Sequence, residues 1–285
     1  MKYYKIAGLN IALEGTEYQL VKERMKNYKV QEFEEAHISV NFEFNNFINC
    51  TLPDYFVSKN GRFYFETENK YGFYDYITEV DKVVSFMTAN KGWNEFSYIH
   101  SDLNDLFGIP VERAVFNVLG HLFSQGIRMY NGAVLHASTI IYDGKAVTFT
   151  APSGTGKSTH TALWKKYYPQ TEIINDDMPA IRKVNGVFNA YGTPWAGKTD
   201  INVNTSAPLS AMVFIERATE CSITKIEPIE AVIRMMREIP VSVFKSQTDI
   251  LVEFYNDLFR NVPAYLLKCD ISKDAVDVVK NKLFG

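Results

Sequence analysis

Nine consecutive residues in the middle of the chain have the composition of a phosphate-binding loop: Ala-Pro-Ser-Gly-Thr-Gly-Lys-Ser-Thr, residues 151–159. Such a loop directs successive backbone N–H groups and the positive end of a helix at one anion. Lys157 is expected to reach the terminal phosphates, and the hydroxyl of Ser158 is expected to hold Mg²⁺. The alternative interpretation is a glycine-rich turn capped by Ser158. The residues predicted to bind a nucleotide are Ser153, Gly154, Thr155, Gly156, Lys157, Ser158 and Thr159.

Two adjacent aspartates, Asp176 and Asp177, follow a short predicted strand about twenty residues beyond Lys157. Ligands of open α/β sheets bind outside the carboxyl ends of the strands, so the pair is expected to face the bound phosphates. One carboxylate would contact Mg²⁺, directly or through water, while the other would accept a proton from an attacking hydroxyl. A solvated turn is the alternative interpretation.

Two further residues are candidates for contact with phosphate. His136 lies in an apolar stretch that is expected to return alongside the strand entering the loop, although a satisfied core histidine has the same pattern. Lys198 follows a run of rigid and small residues that starts at Thr193. This run could close over a nucleotide and place Lys198 against the transferring phosphate, and an ordinary surface loop is the alternative.

The elements that position these residues are predicted from periodicity and turn signals. A single strand is expected from Ala133 to Tyr142, followed by a hairpin turn at Asp143-Gly144 and a strand over 145–150 that enters the loop. A helix follows the loop, and Asn185-Gly186 predicts a second hairpin. Further helices are expected at 228–239, 247–261 and 272–283.

The first hundred residues are rich in aromatic residues and in short alternating apolar runs, which predicts a β-rich domain. One strand is expected from Lys5 to Leu13. Helical periodicity begins after Ser101, so the boundary is placed near residue 100, with a β-rich domain at 1–100 and a nucleotide-binding domain at 101–285. The aromatic residues either pack a core or form a surface that recognises a substrate.

Composition limits the class of protein. The chain has 285 residues, of which 22% are charged and 46% hydrophobic, an ordinary globular balance. A net charge of −3 argues against nucleic-acid binding, and no segment approaches the roughly 20 apolar residues of a membrane span. Cys50, Cys221 and Cys269 form neither a zinc-binding spacing nor a disulfide framework, which predicts a reducing cytoplasm.

The order of these motifs resembles a known family. His136, the Asp143-Gly144 hairpin, the loop 152–158 and Asp176-Asp177 are together similar to HPr kinase/phosphorylase and the HPr-kinase-like proteins, which share their nucleotide core with phosphoenolpyruvate carboxykinase. The chain most resembles the HPr-kinase-like proteins of bacterial peptide-maturation systems. Its β-rich N-terminal part is unlike that of HPr kinase, and Thr159 stands where HPr kinase carries Glu.

The resemblance implies an α/β fold, in which a P-loop core with a mixed sheet and flanking helices follows the β-rich N-terminal domain. It implies ATP and Mg²⁺ as ligands. Asp177 matches the general base and His136 matches an active-site histidine, and Asp176 is the aspartate expected to contact the metal, although the residues alone leave the two roles of the pair open. Lys157 would bind the nucleotide phosphates.

The sequence therefore predicts a cytoplasmic, ATP-dependent kinase that transfers the γ-phosphoryl group to a Ser- or Thr-type hydroxyl of a peptide or protein. Two alternatives stay open. One is a small-molecule phosphotransferase resembling phosphoenolpyruvate carboxykinase, and the other is a nucleotide-gated peptide-binding module without catalysis. No nucleic-acid or membrane partner is expected, and a homo-oligomer is left open.

Overall fold

A computed structural model describes residues 1–48, 57–59, 61–77, 81–102, 110–197, 199–238 and 242–285. The chain divides into two compact units, Met1–Met129 and Tyr130–Gly285. Over these described ranges, no helix combines the length and the hydropathy that crossing a bilayer requires.

The first unit is built on one eight-stranded sheet, which confirms the β-rich N-terminal region. Its elements are β1 Lys2–Ile6, β2 Leu9–Glu14, α1 Gln19–Met25, β3 Ile38–Phe44, β4 Val57–Lys59, β5 Arg62–Glu66, β6 Lys70–Ile77, β7 Lys82–Asn90, β8 Glu95–His100 and α2 Val111–Gly126. The strand order is β1-β2-β3-β8-β7-β6-β5-β4. Helix α2 contacts α1 and β3, and the boundary predicted near residue 100 therefore lies inside this unit.

The single strand expected from Lys5 to Leu13 is wrong. The chain turns at Ala7-Gly8, with positive φ angles of 50° and 77°, and β1 pairs antiparallel with β2. Two successive left-handed residues match the twist of a two-residue hairpin, and alanine rarely adopts that conformation. The turn therefore carries little sequence signal.

The second unit is a nine-stranded mixed sheet with flanking helices, as the sequence predicts. Its strands are β9 Gly132–Val134, β10 Ala137–Tyr142, β11 Lys145–Thr150, β12 Glu172–Asn175, β13 Ala180–Val184, β14 Val187–Tyr191, β15 Ser206–Arg217, β16 Ser222–Ile226 and β17 Ala264–Cys269. Its helices are α3 Lys157–Tyr167, α4 Pro228–Glu238, α5 Lys245–Asn261 and α6 Lys273–Phe284. The strand order is β12-β10-β11-β15-β14-β13-β9, with β17 beside β15 and β16 beside β17.

Both predicted hairpin turns of this unit are present. Asp143 and Gly144 have φ angles of 50° and 70° and join β10 to β11, which pair antiparallel. Asn185 and Gly186 have φ angles of 50° and 81° and join β13 to β14. Positive φ at both central residues is the conformation that Asp-Gly and Asn-Gly favour.

Helices cover both faces of the central strands β11 and β15. On one face Phe149 packs in a cluster with Trp164 of α3 and Val276 of α6. On the other face Met212 packs in a second cluster, which includes Leu258 of α5. A sheet that is buried on both faces has its ligands at the ends of its strands, and that is where the loop after β11 lies.

The single strand expected from Ala133 to Tyr142 is wrong, because β9 ends at Val134 and β10 begins at Ala137. Strand β9 pairs with β13, whereas β10 pairs with β11 and β12. Across the break, the N–H groups of Leu135 and Ala137 donate to the carbonyls of Pro179 and Asp177, each at 3.0 Å. The chain therefore bends at His136, opposite the segment that carries the Asp pair.

Candidate functional site

The glycine-rich loop, residues 151–156, joins the end of β11 to the start of α3, so the predicted order of strand, loop and helix is present. Gly154 and Gly156 have φ angles of 78° and 122°, a backbone conformation that other residues rarely adopt. The first N–H groups of a helix have no partner within the helix. The loop and the start of α3 therefore form the kind of concave donor surface that suits an anion.

Arg217, at the end of β15, forms hydrogen bonds with the backbone of this loop. Its Nε donates to the carbonyl of Thr155 at 3.0 Å, and its Nη2 donates to the carbonyl of Gly154. Sequence reasoning missed this residue. Its role depends on the parallel pairing of β15 with β11, and no local sequence pattern indicates that pairing.

Lys157 is a buried cation, with 7% of its surface exposed. Its Nζ donates to the carbonyl of Ala151 at 2.8 Å and lies 3.2 Å from Nε2 of His136. Burial lowers the pKa of Lys157, and the carboxylates Asp177, Glu238 and Asp176 raise it from a distance. Among the described residues, no carboxylate is recorded within ion-pair distance of Nζ. An ammonium group has three N–H donors, so one remains for a ligand.

His136 lies between Lys157 and the Asp pair. Its Nε2 is 3.6 Å from Oδ1 of Asp177, which is too long for a hydrogen bond. Burial and then the charge of Lys157 lower the pKa of His136, while Asp177 and Glu238 raise it. The neutral ring accepts the Lys157 proton at Nε2, which assigns its own proton to Nδ1. The structure thus brings together three residues predicted from the sequence.

The two aspartates differ in their surroundings. Asp176 is buried, and its carboxylate oxygens accept hydrogen bonds from the hydroxyls of Ser138 and Thr199, each at 2.9 Å. The side chain of Asp177 is 38% exposed. Burial raises the pKa of Asp177, interactions with His136 and with the charge of Lys157 lower it, and Asp176 raises it. Asp177 is therefore the carboxylate that a ligand can reach.

Asn175 fixes the turn that carries this pair. Its Oδ1 accepts the backbone N–H groups of Asp177 at 2.9 Å and Met178 at 2.7 Å. Its Nδ2 donates to the carbonyls of Thr193 at 2.9 Å and Trp195 at 3.3 Å. Sequence reasoning missed this role, although an Asn that precedes two polar residues is a signal for a side-chain-to-backbone turn.

The loop 192–197 lies against the same turn. The hydroxyl of Thr193 donates to the carbonyl of Met178 at 2.6 Å. A Cβ atom added at Gly197 would lie 3.2 Å from Cβ of Asp177, so a glycine permits this close approach. Lys198 lies outside the described residues, and its contact with the transferring phosphate stays a prediction. Its neighbours Gly197 and Thr199 contact Asp177 and Asp176.

The predicted metal ligands are Ser158 and Asp176. Ser158 is exposed in the first turn of α3, as is Thr159. In the ranges that the structure describes, no group of three or more His, Cys, Asp or Glu side chains has the arrangement of a metal site. Mg²⁺ commonly keeps several waters and takes one or two protein ligands plus substrate phosphates. With both oxygens already hydrogen-bonded, Asp176 fits a contact through water better than direct coordination.

Comparisons with known proteins show the family of this chain and distant structural similarities. The HPr(Ser) kinase/phosphatase from Coxiella burnetii superposes with a TM-score of 0.29 and 12% sequence identity, over 52% of this chain and 95% of that chain. No curated protein matches the sequence. A family model described as SynChlorMet cassette protein ScmC matches residues 113–283, more than half of the chain. The chain therefore belongs to the SynChlorMet cassette protein ScmC family.

Proposed function

We propose that this protein is an ATP-dependent phosphotransferase that transfers the γ-phosphoryl group to a hydroxyl of a peptide or protein. The observation that carries the proposal is the buried ammonium group of Lys157. It lies beside a glycine-rich loop, keeps one N–H donor for a ligand, and contacts no carboxylate among the described residues. A phosphate group supplies the missing negative charge, and the loop supplies backbone donors for it.

Phosphoryl transfer needs mainly positioning and neutralisation of charge. The residues that would bind the phosphate chain are Ser153, Gly154, Thr155, Gly156, Lys157, Ser158 and Thr159. Mg²⁺, bound by Ser158 and the phosphates with Asp176 contacting a bound water, would supply further neutralisation. His136 would keep the Lys157 ammonium in place, because its Nε2 accepts one of the lysine protons.

Asp177 is the proposed general base. The acceptor hydroxyl would lose its proton to the Asp177 carboxylate as its oxygen bonds to the γ-phosphorus. The bond between that phosphorus and the bridging oxygen breaks, and ADP leaves. Burial raises the pKa of Asp177 above its ordinary value, and a carboxylate with a raised pKa is a stronger base.

The acceptor of the phosphoryl group is proposed from the family to which the chain belongs. The family's description calls its members cassette proteins, so products of the same cassette are the first acceptors to test. Water is the default acceptor when no peptide is present, which predicts slow release of ADP by the purified protein.

The test measures binding of Mg·ATP and release of ADP for the wild type and two variants. Lys157→Ala should abolish both, because it removes the cation and leaves the Ala151 carbonyl unpaired. Asp177→Asn keeps the shape of the side chain and should leave Mg·ATP binding within about twofold, while ADP release falls by roughly 10² to 10⁴.

Two matched substitutions serve as controls. Lys145→Ala lies at the exposed start of β11, and Asp143→Asn lies in the exposed turn before it. Both should behave as the wild type. Unchanged turnover in Lys157→Ala would refute the site. Transfer by Asp177→Asn at the wild-type rate would refute the base and favour a binding module.

A further inference from the structure

A cavity of about 400 Å³ opens beside the glycine-rich loop. Its walls come from that loop, from the first turns of α3 and from the ends of β15 and β17. Apart from the loop and Thr159, the residues that line it have no part in the proposed phosphoryl transfer. The residues that matter for what it binds are His160, Leu163, Ile215, Cys269 and Ile271.

The cavity is largely apolar. Of the residues that line it, Ile215 and Cys269 are buried, and Leu163 of α3 is partly buried. Ile271 is 76% exposed, which is unusual for a large aliphatic side chain beside a concave surface. Small-molecule sites are typically concave and apolar, with a few polar groups. A flat apolar ligand in this cavity would cover Ile271.

His160 adds a polar group to the cavity wall. The residue is 3% exposed, and its Nε2 accepts a hydrogen bond from Nε1 of Trp164 at 3.2 Å. Burial lowers the pKa of His160 to about 3, so the ring is neutral and carries its proton on Nδ1. That Nδ1 is buried and has no hydrogen-bond partner in the described structure. A buried donor without a partner is costly, and a ring nitrogen of a ligand could accept it.

The position of the cavity relates it to the phosphate loop. Strand β11, which leads into the loop, has β10 and then β12 on one side and β15 and then β17 on the other. His136 and the Asp pair follow from the β10 and β12 side, whereas the cavity lies on the β15 and β17 side. Gly154 and Gly156 border the cavity. A phosphate chain bound on the loop would therefore have one end beside the cavity and the other towards His136 and the Asp pair.

We propose that this cavity binds the base and ribose of the phosphoryl donor, with the purine ring against Leu163 and Ile271. The donor is then a purine nucleoside triphosphate and not an inorganic polyphosphate. This inference rests on the proposed function, since it assigns the other end of the same ligand. It also places the nucleoside and the acceptor on opposite sides of β11.

The experiment compares Mg·ATP with Mg·tripolyphosphate, which carries the phosphate chain without the nucleoside, by isothermal titration calorimetry. Leu163→Trp fills the cavity, and Ile271→Ser removes apolar contact at a position too exposed to affect folding. Both substitutions should weaken the binding of Mg·ATP roughly tenfold and leave the affinity for Mg·tripolyphosphate within about twofold of the wild-type value. Ile229→Ser, at an isoleucine of α4 that is 64% exposed, is the matched control and should change neither affinity.

The outcomes separate this inference from the proposed function. Wild-type protein that binds neither ligand would overturn both. Wild-type protein that binds the two ligands equally, or Mg·ATP affinity unchanged in both cavity variants, would overturn the nucleoside cavity and leave the phosphate site standing. If Ile271→Ser weakened the binding of both ligands equally, the substitution would be acting on the phosphate loop, and the assignment of the cavity to the nucleoside would also be overturned.

Discussion

Asn175 offers a sharp test of how the carboxylate pair is held. Its side chain is fully buried, and all of its hydrogen-bonding groups are used. Two bonds go to the backbone N–H groups of Asp177 and Met178, and two go to the carbonyls of Thr193 and Trp195. The replacement Asn175→Ala removes these four bonds to the backbone and a further one, at 3.3 Å, to the hydroxyl of Thr193, so that two N–H groups and two carbonyl groups lose these partners.

The size of the effect follows from these contacts. Three of the four bonds to the backbone are 2.9 Å or shorter and the fourth is 3.3 Å. At about 1 kcal/mol of net stability for each, the unfolding free energy should fall by roughly 3 to 4 kcal/mol. In a unit of this size, that lowers Tm by roughly 10 °C. Differential scanning calorimetry of the full chain would measure the shift.

A second substitution tests the direction of the bonds. Asn175→Asp keeps an oxygen that accepts hydrogen bonds from both N–H groups. Its second oxygen replaces the donor Nδ2, and when the carboxyl group is ionised this oxygen cannot donate to the carbonyls of Thr193 and Trp195. Its destabilisation should therefore be larger at neutral pH than at acidic pH, where the new carboxyl group is protonated and can donate. Asn189→Ala is the control, because its Nδ2 makes one exposed bond within its own strand, to Val187. It should change stability by less than about 0.5 kcal/mol.

The reasoning would be refuted if Asn175→Ala melted within about 2 °C of the wild type. It would also fail if Asn175→Asp lost the same stability at every pH between 4 and 8, about the range in which a carboxyl group in a folded protein titrates. Either result would mean that the backbone of the turn, without the amide, fixes Asp177 and the loop beside it.

Two further predictions concern the same site. Burial raises the pKa of Asp177, so the folded chain binds that proton more tightly than the unfolded chain, and stability is lost as pH rises through the folded pKa. Asp177→Asn should therefore raise the Tm measured by calorimetry at pH 7, and a lower Tm would contradict this. The transfer rate of the wild type should fall with decreasing pH at a pKa above the ordinary aspartate value. A fall centred on the ordinary value would contradict the raised pKa. Arg217→Ala should weaken the binding of Mg·tripolyphosphate roughly tenfold. Arg217→Lys should retain only part of the wild-type affinity, because an ammonium group cannot bridge the carbonyls of Thr155 and Gly154 as the guanidinium does. Full recovery with Lys, measured by titration calorimetry, would contradict the bridging role.

Local chemistry explains which parts of the fold could be predicted. Asp143-Gly144 and Asn185-Gly186 determine their turns through their own backbone preferences, so both hairpins were correct. The strand and helix on either side of the glycine-rich loop follow from apolar runs of different period. His136 and the Asp pair were each expected to face the phosphates, from a hairpin and from a strand end, and the structure places Nε2 of His136 3.6 Å from Oδ1 of Asp177.

The errors lie where a distant partner decides the structure. The break after Val134 exists because β9 and β10 pair with different strands, and nothing within the apolar run itself marks the division. Arg217 acts on a loop more than sixty residues away in sequence. The unequal surroundings of Asp176 and Asp177 likewise depend on Ser138 and Thr199, so the sequence alone left their roles interchangeable.

The two hairpin turns also indicate where the chain can be opened or labelled. Asn185-Gly186 is exposed and joins strands at the end away from the Asp pair, and Asp143-Gly144 is exposed at the end of β11 away from the glycine-rich loop. Exposed turns of this kind tolerate insertions and new termini better than buried segments do. A fluorescent label inserted at Gly186 would therefore leave the hydrogen bond between Lys157 and His136, and the neighbouring Asp177, in place.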